Sequence, residues 1–227
     1  MLKKFALLGK NIGHSRSPQV YEALLGEKVC YELLDIPEPS LIPDLKSLVL
    51  EHKRVSVTAP YKEYVFERCE IASALAKKLR AVNAIKISKG QIEGTNTDAL
   101  AFESLYKEQF EKRVPTALVL GDGAMSRLAV SVFEAHSLPY KVLSRKIGNL
   151  NSLEEEADKS KRDLLIVNTC SREYSLNFKS HNSLILWDMN YSMPKHKEFA
   201  DRNAHEYHDG EELLIRQARY ALSFWNS

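Results

Sequence analysis

Short apolar runs alternating with helical segments fill this chain, and no other feature narrows its fold as much. KFALLG (4–9), VCYELLD (29–35), RVSVT (54–58) and AVNAIKI (81–87) are too short for helices and are bounded by polar or turn residues. Helical spacing separates them at 18–25, at about 40–50, and at 61–79 with a break near Cys69–Ile71. AVNAIKI and QIEGT (91–95) read as a hairpin across Ser88-Lys89-Gly90. A helix from Asp98 to about Glu111 leads to Val114-Pro115, a domain border by its proline. There the alternation restarts: TALVLG (116–121), YKVLSR (140–145), DLLIVNT (163–169) and SLILWDM (183–189) are strands, and AMSRLAVSVFEAH (124–136) a helix. The final GEELLIRQARYALSFW is amphipathic, with Leu213, Leu214, Ala218, Ala221 and Leu222 near one face. Such alternation predicts parallel α/β architecture, and its restart predicts two α/β lobes with a ligand cleft between them.

The bulk numbers exclude several classes. Thirty-two basic against thirty acidic residues leave +2, too balanced and too scattered for a nucleic-acid or membrane-surface protein. No transmembrane stretch is evident, and the apolar run in MLKKFALLGKNIG is too short for a signal peptide. Cys30, Cys69 and Cys170 are widely spaced and fit no metal pattern, so reduced thiols in a cytoplasmic protein are expected. HEYH (205–208) sets His205 and His208 three apart without further ligands; no metal is expected, and both read as surface histidines.

Several short motifs could carry chemistry. Gly121-Asp122-Gly123 directly follows a strand and opens a helix, with Ser126 at the third small position. Glycines there let the backbone approach a pyrophosphate, and the helix N-terminus supplies N–H groups. The next strand ends at Ser144, Arg145 and Lys146, where an NAD site usually has a carboxylate. Two cations and a hydroxyl attract a 2′-phosphate, which favours NADP over NAD. In IGHSRSPQVYEALL, Ser17 and Pro18 read as N-cap and first-turn proline. Ser15 and Ser17 would present hydroxyls beside a positive helix end, and His14 reads as a local hydrogen-bonder. VSVTAPYKE (55–63) reads as a buried strand that then exposes Tyr61, Lys62 and Glu63. Taken singly, Asn83 could satisfy a backbone group and Asp98 could cap the linker helix.

IGHSRSP, VTAPYKE, AVNA, GTNTD, LGDGAMSR and WDMNY occur in this order, with RQA in the last helix. This set resembles the shikimate dehydrogenase family from near the N-terminus to the final helix. The resemblance implies a substrate lobe (1–97, joined by 207–227) and a Rossmann-like NADP lobe (98–206). It implies Lys62 and Asp98 as the catalytic pair, and Ser15 and Ser17 on the substrate carboxylate. Thr58, Asn83, Tyr191 and Gln217 would bind substrate hydroxyls. Gly121, Asp122, Gly123, Ala124, Ser126, Ser144, Arg145, Lys146, Asn168, Met189 and Gly210 would line the cofactor. The implied reaction is reversible hydride transfer between NADPH and 3-dehydroshikimate, giving shikimate, on the route to aromatic amino acids. A small-molecule substrate is the partner implied, in a monomer or homodimer.

The chain departs from that pattern in places, and is shorter in its internal connections. VNTCSREY keeps Asn168 and Ser171 but not the glycine that commonly follows; Glu212 and Leu213 stand where glycine and methionine are usual. Ala99 stands in NTDA for a glycine, and Arg80 for another, which strains the chain if its φ is positive. Two rival readings follow: a quinate/shikimate dehydrogenase using NAD, and a non-catalytic ligand-binding homologue.

Overall fold

The computed structural model describes residues 3–159, 163–180, 182, 184–203 and 205–227; Ser183, first residue of one predicted strand, lies outside them. The chain forms two units, Met1–Ala101 with Leu214–Ser227, and Phe102–Leu213. It passes between them inside two helices, α5 (Thr97–Gln109) and α9 (Glu211–Asn226), and Val114-Pro115 lies within the second unit. No helix among the described residues is long and apolar enough to cross a membrane.

The first unit holds β1 (Lys4–Gly9), β2 (Cys30–Asp35), β3 (Arg54–Val57), β4 (Ile71–Ala72), β5 (Ala84–Ser88) and β6 (Gln91–Thr95) in one sheet, ordered β2-β1-β3-β5-β6-β4. This sheet is mixed: the alternation alone predicts a parallel one, but the expected hairpin across Ser88-Lys89-Gly90 forms, and β5 runs antiparallel to both β3 and β6. The cause is local. Lys89 and Gly90 both take left-handed backbone (φ 49° and 80°), the tight hairpin turn that joins antiparallel strands. The break near Cys69–Ile71 proves to be β4, which pairs with β6 between α3 (Lys62–Phe66) and α4 (Ala74–Leu79). Helices α1 (Ser17–Leu25) and α2 (Leu45–His52) complete the unit. Leu8, Val55, Val57 and Ile85 form its core together with Tyr61. Tyr61 is therefore not exposed as the sequence suggests; it is 1% accessible, and its hydroxyl donates to the Ile36 carbonyl at 2.5 Å. The turn closed by Tyr61 N–H to Thr58 O (3.0 Å) rotates the ring inward and leaves Lys62 at the edge.

The second unit holds β7 (Thr116–Leu120), β8 (Tyr140–Leu143), β9 (Leu164–Asn168), β10 (Leu184–Asp188) and β11 (Glu206–His208), ordered β11-β10-β9-β7-β8 and wholly parallel. Its strands are nearly continuous apolar runs because helices cover both faces. Helices α6 (Ala124–Ala135), α7 (Leu153–Lys159) and α8 (Pro194–Arg202) follow β7, β8 and β10. Leu118, Ile166 and Leu186 meet Phe178 and Phe199 on one side. Trp187, 2% exposed, stacks on Phe102 at 4.3 Å on the other. His205 departs from its surface reading: it is 7% exposed, lies between Phe178 and Phe199, and neither ring nitrogen has a partner among the described residues.

Candidate functional site

Topology gathers the first unit's polar residues at one edge of its sheet. Strands β1, β3 and β6 end there, and β5, running the other way, begins there. Ser15 and Ser17 follow β1, Thr58 and Lys62 follow β3, Asn83 precedes β5, and Asp98 follows β6. Gly9 makes the close approach possible: a Cβ on it would lie 2.5 Å from the Thr58 methyl and 2.6 Å from Ile12. Asp35 fixes the next turn, its carboxylate accepting from Asn11 N–H (2.7 Å) and Ile12 N–H (3.1 Å). This leads the chain to Ser15, whose hydroxyl donates to Ser17 Oγ at 3.1 Å. Ser17 is not the N-cap that its sequence suggests. It is the first helical residue, and Arg16 occupies the cap position with no side-chain capping bond, while Ser15 Oγ takes the Ser17 N–H (3.3 Å). His14 is exposed.

Lys62 Nζ lies 2.7 Å from Asp98 Oδ2, with both side chains largely buried (11% and 15% exposed). Asp98 does not cap α5; Asn96 does, its Oδ1 accepting Ala99 N–H at 3.0 Å. That leaves the aspartate, in the first turn, to face the lysine. Asn83 serves a backbone group as one of its readings suggests: its Oδ1 accepts Thr97 N–H (2.6 Å), and its Nδ2 donates to Thr97 Oγ1 (3.0 Å). Thr97 Oγ1 in turn donates to Gln217 Oε1 at 3.3 Å. Thr97, fully buried, thus joins two of the predicted residues, yet it reads in the sequence as an ordinary helix-start threonine. Tyr191 belongs to the second unit, where its carbonyl accepts from Arg172 Nη1 at 2.9 Å.

In the second unit the strand ends carry the cofactor candidates. Gly121 has φ 109°, and a Cβ there would sit 2.6 Å from Thr169 Oγ1, so only glycine lets this turn close. Thr169, unmarked in the sequence, clamps that turn by donating N–H (2.9 Å) and Oγ1–H (2.7 Å) to the Leu120 carbonyl. Gly123 is the N-cap of α6; Asp122 beside it is exposed, and Ala124 begins the helix. Ser126, 3% exposed, seats α6 against the sheet. A positive helix end with open space over Gly123 suits a diphosphate. After β8 the roles divide. Ser144 is 2% exposed and its Oγ accepts Ile147 N–H at 3.1 Å, shaping a turn that leaves Arg145 and Lys146 exposed. Asn168 is also turned inward, donating to Asp188 Oδ1 at 3.0 Å. Gly210 packs on the carbonyl of Met189, where a Cβ would come within 2.4 Å. Glu212 directs its carboxylate to Gln109 Nε2 (2.8 Å). Among the described residues no group of three or more His, Cys, Asp or Glu is placed to hold a metal ion.

Together these features provide a shielded ammonium–carboxylate pair beside hydroxyl and amide groups, and a glycine turn that fits a dinucleotide. Comparison with known proteins agrees with this chemistry. Residues 7–85 match the shikimate dehydrogenase substrate binding domain. A shikimate dehydrogenase (NADP(+)) from Helicobacter pylori is 30% identical across 98% of this chain and 91% of its own. Shikimate dehydrogenase 1 from Peptoclostridium difficile has a TM-score of 0.77 at 26% identity, covering 98% of this chain and 91% of that one. Shikimate 5-dehydrogenase from Thermus thermophilus, solved in complex with NADP(H) and shikimate, has a TM-score of 0.75 at 25% identity over 99% and 93% of the two chains. With two α/β lobes and a relative this similar along nearly its whole length, the chain belongs to the shikimate dehydrogenase family.

Proposed function

We propose that this protein is an NADP-dependent shikimate dehydrogenase, reversibly reducing 3-dehydroshikimate to shikimate in aromatic amino acid biosynthesis. The observation that carries the proposal is the 2.7 Å contact between Lys62 and Asp98, held at the sheet edge where the other polar candidates converge. Bound NADPH supplies the hydride. As the ketone carbon gains it, the carbonyl electron pair moves to oxygen, and Lys62 stabilises that charge and gives up a proton to it. Asp98 holds the ammonium in place through a charge-assisted hydrogen bond. In the oxidative direction the neutral amine takes the proton back. Ser15 and Ser17 hold the substrate carboxylate beside the start of α1, while Thr58, Asn83 and Gln217 bind its hydroxyls. Gly121, Asp122, Gly123, Ala124 and Ser126 form the diphosphate cradle, and Arg145 and Lys146 take the 2′-phosphate. Asn168, Met189 and Gly210 shape the nicotinamide end.

The test is a spectrophotometric assay of purified protein with shikimate or quinate and either cofactor. Turnover is expected with shikimate and NADP+. Turnover with quinate and NAD+ alone would instead make it a quinate dehydrogenase, and binding without turnover a non-catalytic homologue. Lys62→Ala is expected to lower kcat by ~10²–10⁴ while leaving NADPH affinity intact. Near-normal kcat in that variant removes Lys62 from the mechanism.

A further inference from the structure

The second unit contains a buried acid–base pair that the reaction above does not use. Asp188, the last residue of β10, is fully buried, and His196, in the first turn of α8, is 2% exposed. His196 Nδ1 lies 2.5 Å from Asp188 Oδ2, and its Nε2 lies 2.8 Å from the Tyr174 carbonyl oxygen. A carbonyl oxygen only accepts, so Nε2 carries a hydrogen. At the other nitrogen a proton must lie between Nδ1 and Oδ2, since two lone pairs facing each other in the core would repel. The pair therefore holds one proton more than a neutral imidazole and a carboxylate would hold separately.

The same carboxylate joins the strand ends. Its Oδ1 accepts from Asn168 Nδ2, Asn190 N–H and Asn190 Nδ2, each at 3.0 Å, and its Oδ2 accepts from the Tyr207 hydroxyl at 3.1 Å. Asn168 Oδ1 holds Cys170 N–H (3.2 Å), and Asn190 Nδ2 also donates to the Cys170 carbonyl (3.1 Å). The Asn190 carbonyl accepts Gly210 N–H at 2.9 Å. The Asp188 oxygens accept all four of these bonds, so Nδ1 is the donor in the bond to Oδ2. Burial pushes the nearby Cys170 thiol up to about 11 and the Tyr207 hydroxyl higher still, so neither competes for that charge.

We infer that His196, through the proton it shares with Asp188, is a positioning residue for the cofactor: it fixes the loops that present Asn168, Met189 and Gly210. This rests on the NADP reading above. The test combines NADPH titration, steady-state kinetics and proton NMR on the full chain, using His196→Gln. The variant is expected to weaken NADPH binding and raise the KM for NADP+ about tenfold, with the KM for shikimate unchanged. Wild-type protein is expected to show a far-downfield, exchange-protected ring proton at neutral pH, absent from the variant. If wild-type protein does not bind NADPH, the functional reading itself fails. If it binds, but the variant binds equally well or the wild type lacks that proton, only the role of His196 is overturned. Should the variant not fold, Tyr207→Phe probes the same carboxylate: weaker NADPH binding supports the inference, and unchanged binding overturns it.

Discussion

Thr97 has no charge and no motif to mark it, yet Asn83 and Gln217 meet through it. Its hydroxyl lies between an amide of the strand region and one of the last helix, so deleting it should loosen both without touching Lys62. Thr97→Val keeps the shape and removes the oxygen. The KM for shikimate should rise about fivefold, the equivalent of one net hydrogen bond, with kcat nearly unchanged. Steady-state kinetics check this; a large fall in kcat at constant KM would place Thr97 in the chemistry instead. The places of Lys62, Asp98, Ser15 and Ser17 just beyond strand ends were legible because each polar motif directly follows a short apolar run. Thr97, Thr169 and Asp35 were not, because their importance comes from partners 14, 49 and 24 residues distant.

At the scale of elements, α4 ends at Arg80 in left-handed backbone, with φ 50° and ψ 38°. That conformation costs a side-chain-bearing residue about 1 kcal/mol, which glycine avoids. Arg80→Gly is therefore expected to raise the thermal midpoint by about 2–4 °C without altering activity. An unchanged or lowered midpoint would mean that the arginine's contacts with Glu67 and Phe66 outweigh the strain. Helix α5 shows how a cap controls a site. Because Asn96 satisfies the helix start, Asp98 can turn to Lys62; were Asp98 the cap, its carboxylate would be committed to backbone N–H groups. Short elements such as β4 and β11 escaped the sequence pattern, since two or three residues cannot display a period.

At the scale of the whole molecule, acid stability has two separable steps. Burial holds His205 below its ordinary value of 6.5. The unfolded chain binds that proton more readily, so the stability is intact above about pH 6.5 and declines as pH falls through it. Glu206, hydrogen-bonded by Arg113, is drawn from 4.5 to about 2. Its contribution is present above 4.5 and is lost as pH falls towards 2. Urea denaturation across pH should show both declines, and His205→Phe, which fits between Phe178 and Phe199, should remove the first. Persistence of that first decline in the variant would assign it elsewhere. By itself, the sequence determined the strand–helix alternation, the glycine turn and the order of the polar motifs, because these depend on neighbours a few residues apart. Tertiary structure alone decided that Tyr61 and His205 lie inside, and that Ser144 and Asn168 face inward. It also brought Lys62 to Asp98. Such outcomes depend on which distant strands pair and which side chains then share one edge, and local patterning carries no information about either.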